Sequence, residues 1–200
     1  MEKLIYKVAM YKSKKYLINK YSLDWYQKFC KESKKCLYEI LPKVPDIGKS
    51  IFSFNYKFAP SYIAWYLTLE KMGISNDEIT QIIWKLNEQM VHIVPAFLMH
   101  KVGKLYFSSF RKKAGQHVRK QETVGVHPYD WQIEYRNVND NCFEIDIKEC
   151  GIKKLAADFY AEGLLPGICR MDYLFANIMN NGFERTKTLG DGDECCNCRY

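Results

Sequence analysis

With 200 residues, a net charge of +7 and a pI near 8.9, the chain is long enough for one domain with a sizeable core. No Pro-, Gly- or Ser-rich tract marks a linker or a disordered segment, which excludes a low-complexity chain. The basic residues are spread over several helix faces without a nucleic-acid motif, and no stretch reaches the roughly 18 uncharged apolar residues of a membrane span. Neither a nucleic acid nor a membrane is therefore expected as a partner.

The opening Met1-Glu2-Lys3-Leu4-Ile5-Tyr6-Lys7 lacks an apolar export segment, so a cytoplasmic protein is expected, with its eight cysteines reduced. The first 120 residues read as helices, with Lys12, Lys14, Lys15, Lys34 and Lys35 on solvated faces. Ser22 caps a helix through Trp25, Phe29 and Leu37 that ends before Pro42, because residues preceding proline avoid the α region. Ser61, after Pro60, opens another that Gly73 ends in a left-handed cap. Ser75-Asn76-Asp77-Glu78 reads as a capping box for a helix carrying Ile79, Ile82, Ile83 and Leu86, which Pro95 bends or ends. A basic helix follows around Leu105–Lys120, and its Arg111-Lys112-Lys113 to Arg119-Lys120 cluster is read as a solvated face, the alternative being a site for phosphate, an anionic substrate or nucleic acid.

The pattern then changes. Trp131–Tyr135 and Phe143–Lys148 alternate apolar and polar about the turn-forming Asn137–Asn141, which is the signature of a β-hairpin. Helices are expected near Lys153–Ala161 and Pro166–Asn180. Phe183–Leu189 and Glu194–Tyr200 read as a second strand pair across Asp191-Gly192-Asp193. The fold class is thus α+β in one domain: a helical N-terminal half packed on a β-β-α-α-β-β unit, residues 127–200, with a four-stranded antiparallel sheet.

Five of the eight cysteines, Cys150, Cys169, Cys195, Cys196 and Cys198, fall in the last 51 residues. Cysteine also packs as a small hydrophobe, and strand alternation sets Cys196 and Cys198 on one face with Cys195 on the other. Cys150 sits between a strand and a helix, where a helix N-terminus favours a thiolate and would suit a nucleophile or a metal ligand. A metal held by Cys150, Cys169, Cys196 and Cys198 is chemically conceivable, but Cys-Cys-Asn-Cys is not a usual ligand run, and no metal is expected. Asp172, three residues after Cys169, is a candidate general base as well as a candidate helix cap. Arg185 is either a fork for a substrate carboxylate or a surface charge. Among the histidines, His92 and His100 are read as packed or exposed and His117 as solvated, while His127, in the loop entering the first strand, is the acid/base candidate.

These residues, in this order, resemble the C-terminal signature of the L-2-amino-thiazoline-4-carboxylic acid hydrolase family. The resemblance rests on Trp131, Cys150, Cys169-Arg170-Met171-Asp172, Arg185-Thr186-Lys187-Thr188-Leu189, Gly192 and Cys196-Asn197-Cys198-Arg199-Tyr200. The closing run departs from the family pattern, with Asn197 and Cys198 where Asp and Phe are usual. The resemblance implies hydrolytic opening of a cyclic amidine-like ring to an N-carbamoyl amino acid without a cofactor. Cys150, Asp172 and His127 would be catalytic, and Arg185, Cys169, Cys196, Thr188 and Asn197 would bind the small-molecule substrate. A homo-oligomer is compatible with this reading. The competing reading is a non-enzymatic binding or sensor domain of the 4-vinyl-reductase type.

Overall fold

A computed structural model describes residues 1–91 and 95–200. Helices α1 (Glu2–Lys20) and α2 (Leu23–Ile40) form an antiparallel hairpin. It is locked by Tyr6, whose hydroxyl donates to the Cys30 carbonyl at 2.9 Å, and by Tyr26, which donates to the Met10 carbonyl at 3.0 Å. Ser22 caps α2 as its sequence predicts, accepting the Trp25 N–H at 3.1 Å. A 3₁₀ turn at Leu41–Lys43 and the short α3 (Ser53–Tyr56) lead to α4 (Ala59–Lys71), which starts at Ala59 rather than Ser61, with Pro60 in its first turn, and is followed by Gly73 with φ +81°.

Helix α5 (Asn76–Val91) keeps half of its expected capping box. The Ser75 hydroxyl accepts the Glu78 N–H at 3.4 Å, but the Glu78 carboxylate turns away to Tyr21 Oη at 2.6 Å and Lys20 Nζ at 3.0 Å. His92 lies outside the described residues. From Ala96 the chain forms α6 (Ala96–Thr123), longer than the basic helix read from the sequence because its apolar residues continue the periodicity back to Pro95. His100 is exposed on it. His117, in contrast to the solvated position expected, is buried, with Nε2 2.9 Å from the Trp131 carbonyl and its ring edge-on to Phe52.

Strands β1 (Gln132–Asn139) and β2 (Cys142–Glu149) pair antiparallel, with Ile133 opposite Ile147 and Tyr135 opposite Ile145. Arg111 of α6 clamps their turn, donating to the carbonyls of Asp140 and Asn139 and to Asn137 Oδ1. That part of the basic cluster is therefore structural. Cys150 caps α7 (Gly151–Asp158), and a 3₁₀ turn at Glu162–Leu164 leads to α8 (Leu165–Cys169) and α9 (Met171–Met179). The single helix expected over Pro166–Asn180 is thus two, broken at Arg170, and Asn180 ends the second in the left-handed region at φ +55°.

The last strand, β3 (Cys196–Arg199), adds to β2 with Cys196 opposite Ile147 and Cys198 opposite Ile145. Among the described residues the sheet therefore has three strands in the order β1-β2-β3, not four. The expected strand Phe183–Leu189 contributes only one bridge, Glu184 to Arg199. Side chains have taken the backbone donors a ladder would use. Asn197 Oδ1 accepts the N–H groups of Thr186 and Lys187 at 3.0 and 2.7 Å, Asp193 Oδ2 that of Thr188 at 2.7 Å, and Cys196 Sγ that of Leu189 at 3.2 Å.

The sheet has two unlike faces. Outward, Arg136 meets Glu144 and Asp146 at 3.1 and 2.9 Å. Inward, Phe143 packs on Phe107, Phe110 and Tyr200, so α6 lies against the sheet. The core continues through Trp131, stacked on Phe52 at 4.8 Å, to Tyr62, Trp65 and Phe29 between the N-terminal helices. Gly151 lets α7 approach this joint, since a Cβ there would strike the Tyr129 carbonyl and come within 2.8 Å of the Trp131 ring. Gly182 faces open space. Gly151→Ala should therefore cost about 1–3 kcal/mol by forced overpacking, whereas Gly182→Ala should stay within about 0.5 kcal/mol. Urea denaturation of the two variants checks this.

Candidate functional site

Where β3 passes the ends of α7 and α8, the expected cysteines come together. Cys196 and Cys198 point to the inner face and are 5% and 1% exposed. Thr188, also buried, places its hydroxyl 3.5 Å from Cys196 Sγ. Cys150 packs against the same small cluster. Cys169 lies close enough to Cys150 and Cys196 for each charge to affect its titration. Gly190 makes this layer tight, since a Cβ there would approach Cys169 Sγ to 2.7 Å. Among the described residues no group of three or more His, Cys, Asp or Glu is arranged to hold a metal ion.

Arg185 ties this layer to the helices. Its Nη1 donates to Asp172 Oδ2 at 2.8 Å and its Nη2 to the Cys169 carbonyl at 2.7 Å, while its side chain is 5% exposed. Tyr173 donates to the Arg185 carbonyl at 2.7 Å, and the guanidinium lies over the rings of Tyr173 and Phe183 at 5.3 and 5.6 Å. Cys169 and Asp172 are thus brought together by one guanidinium, not by spacing on one continuous helix. The fork is already occupied.

Asp172 combines two properties that rarely coincide. Burial raises its pKa above the ordinary 3.8, outweighing the opposite pull of Arg185. Yet 43% of its side chain remains open to water. Tyr106 of α6 shows the same pair of traits: it is 44% exposed, and its pKa is pushed up to about 12 by burial first and by the Asp172 charge second. Tyr200 joins them, its pKa raised by burial and by the nearby Cys198, Asp172 and Tyr106. Phe110, stacked on Tyr106 at 5.4 Å and edge-on to Tyr200 at 5.5 Å, completes the aromatic wall. Tyr106 is the member that residue types and spacing did not reveal, because on α6 it reads as one more apolar position beside Phe107.

The thiols differ from the sequence expectation. Backbone N–H groups of Lys153 and Ile152 lean toward Cys150 without closing a capping hydrogen bond, and burial nevertheless pushes its pKa up to about 11. A helix terminus contributes about 0.3–1 kcal/mol, less than one pKa unit at about 1.36 kcal/mol per unit, whereas burial shifts groups by up to about 3–5 units. Burial also raises Cys169 to about 12 and lifts Cys198 well above the ordinary thiol value. Near neutral pH these three are thiols. Two other expected residues stand apart. His127 turns its Nδ1 back to accept the Tyr129 N–H at 3.1 Å, and Asn197 lies on the outer face, bordering a hollow of about 240 Å³ that Arg136, Glu184, Arg185, Cys198 and Arg199 also line.

Residues 55–200 match the family model of L-2-amino-thiazoline-4-carboxylic acid hydrolase. The chain belongs to this family. No curated protein and no solved structure shows a significant match to it. The span reaches well beyond the C-terminal signature and takes in α4, α5 and α6, so the helix that supplies Tyr106 is part of the family region. Within the matched span of this L-2-amino-thiazoline-4-carboxylic acid hydrolase family, Cys150, Cys169, Asp172, Arg185, Thr188 and Cys196 lie near one another around the end of β3.

Because Cys150 is protonated and packed, its alkylation by iodoacetamide in the native protein should be slow at pH 7.5 and should accelerate as pH rises toward about 11. Peptide-resolved mass spectrometry after timed labelling reads this. Rapid modification of Cys150 at pH 7.5, with the protein still folded, would show an activated thiolate instead.

Proposed function

We propose that this protein is a hydrolase that opens a small cyclic amidine-like ring such as 2-amino-thiazoline-4-carboxylate to an N-carbamoyl amino acid, with Asp172 as the general base for water. The observation that carries this reading is the Asp172 carboxylate, partly open to water, its pKa raised by burial and its charge felt by the phenols of Tyr106 and Tyr200, within the family-matched span. A base of raised pKa accepts a proton more readily than an ordinary aspartate. The raised pKa of Cys150 argues against a thiolate nucleophile.

The reaction needs only water. Its oxygen adds to the carbon between nitrogen and sulfur while Asp172 takes one proton and passes it to the ring nitrogen. The tetrahedral carbon then collapses to a carbonyl, the carbon–sulfur bond breaks, and the hydroxyl proton moves to the departing sulfur. The phenols of Tyr106 and Tyr200, both held protonated, are donors for the charge that develops on nitrogen or sulfur. Arg185 acts as a positioning residue: its fork fixes Asp172, and its charge pulls the carboxyl pKa down against the larger raising effect of burial. The packed, protonated thiols favour the second reading, a binding module without turnover, because they remove one class of nucleophile from the site.

Steady-state kinetics on a panel of 2-amino-thiazoline-4-carboxylates separates the two readings. Asp172→Asn should lower kcat by about 10²–10⁴-fold with KM little changed, and Cys150→Ser should retain activity within about tenfold. Since the base must be ionised, wild-type kcat/KM should fall as pH drops through the Asp172 pKa, above 3.8, and Asp172→Asn should lose that limb. Tight binding of these compounds without turnover by the wild type would favour the binding module.

A further inference from the structure

The net charge of +7 is not shared by the whole chain. Residues 1–43 contain eleven lysines against four acidic residues, while residues 44–200 carry nineteen of each sign. The entire excess therefore sits on the α1–α2 hairpin and the turn after it, ahead of the family-matched span. The spread over several helix faces conceals a concentration in one region.

The hairpin presents this charge in a fixed geometry. Its inner faces are held in the core by Tyr6, Leu17, Phe29 and Leu37. Outside, Lys3 Nζ lies 4.5 Å from the Tyr38 ring, and Lys14 is close enough to Cys30 to affect its titration. These two contacts set the register of the seam. Lys3, Lys7 and Lys14 run along one edge of α1 beside the i, i+4, i+8 row Cys30, Lys34 and Tyr38 of α2, which borders a shallow open groove with Lys31 and Lys35. Between the lysines of α1, Leu4 and Tyr11, seven residues apart on one face, are 64% and 75% exposed.

We infer that this hairpin face is a docking surface for an anionic lipid bilayer, with Leu4 and Tyr11 entering the headgroup region and the lysines engaging lipid phosphates. Charge complementarity requires an anionic partner, and two features favour a bilayer over a nucleic acid. The cations are all lysine, the first arginine of the chain being Arg111, whereas nucleic-acid recognition draws on the planar arginine fork. Exposed leucine and tyrosine flanked by lysine stems form the pattern of an interfacial helix, in which the apolar strip enters and the ammonium groups snorkel. No helix of the described residues is long and apolar enough to cross a membrane, so the contact is peripheral.

Co-sedimentation of the full chain with phosphatidylcholine vesicles, with and without phosphatidylglycerol, tests the assignment. Binding is expected only with phosphatidylglycerol and should weaken as salt rises. At about fivefold per lysine near an anionic surface, the triple variant Lys7→Gln, Lys14→Gln, Lys34→Gln should bind roughly a hundredfold more weakly with an unchanged melting temperature. The pair Leu4→Ser, Tyr11→Ser should also weaken vesicle binding, since it removes the inserting strip and leaves the charge. Indifference to phosphatidylglycerol overturns the assignment, as does full binding by either folded variant. Tighter binding of a mixed-sequence DNA duplex than of the anionic vesicles replaces it with a nucleic-acid surface. Catalysis is independent of these outcomes, because none of the substituted residues adjoins Asp172.

Discussion

The C-terminal architecture depends on one guanidinium. Arg185 stands on a segment with almost no ladder hydrogen bonds of its own, yet it fixes α9 through the Asp172 carboxylate and α8 through the Cys169 carbonyl. The two acceptors belong to different helices separated by the break at Arg170. A buried guanidinium left with only one of them would carry an undercompensated charge, so the positions of the two helix ends are coupled through it. A lysine could not reproduce this, because a point charge lacks the fork that reaches two acceptors in fixed directions. The same fork holds a carboxylate in a desolvated place without making it a surface ion pair.

That arrangement separates proton chemistry from thiol chemistry. Cys150, Cys169 and Cys198 are packed in the layer beneath β3, where burial keeps them protonated and where their size suits close approach, as between Cys169 and Gly190. Asp172 faces outward from the same layer and retains access to water. The cysteines thus act as packing that positions the carboxylate, a use in which their polarizable sulfurs accept hydrogen bonds, as Cys196 does from the Leu189 N–H.

Much of this was legible from residue pattern. The Ser22 cap, the Gly73 terminator and the hairpin of β1 and β2 follow from local rules of period and turn chemistry, whereas the gathering of Cys150, Cys169, Asp172 and Cys196 was expected from the family-like spacing. What was not legible is where side chains compete with the backbone or with solvent. Phe183–Leu189 has the composition of a strand, and only the fold shows that Asn197, Asp193 and Cys196 capture its donors. Cys150 was correctly placed at a helix start, but its titration is decided by burial, and it packs against residues far away in sequence, such as Leu189 and Cys196. Tyr106 reads as a core position until α6 is laid against the sheet.

The two departures from the family's closing pattern take on definite meaning in this setting. Asn197 lies on the outer face of the sheet, while Cys196 and Cys198 on either side of it face inward. Its amide does what an aspartate could do only in part: Oδ1 accepts from Thr186 and Lys187, and Nδ2 donates to Thr186 Oγ1 at 2.8 Å. On a face that already holds Glu134, Glu144 and Asp146 around a single Arg136, a neutral side chain also avoids a further like charge. Cys198, where a phenylalanine is usual, faces inward, and its 1% exposure shows that the volume a ring would fill is not left empty. Phe183 and Tyr200 close over it with ring centroids 5.2 Å apart. The smaller residue is thereby compensated by its neighbours, and the aromatic character of the wall beside Asp172 comes from Tyr200 and Tyr106 rather than from position 198.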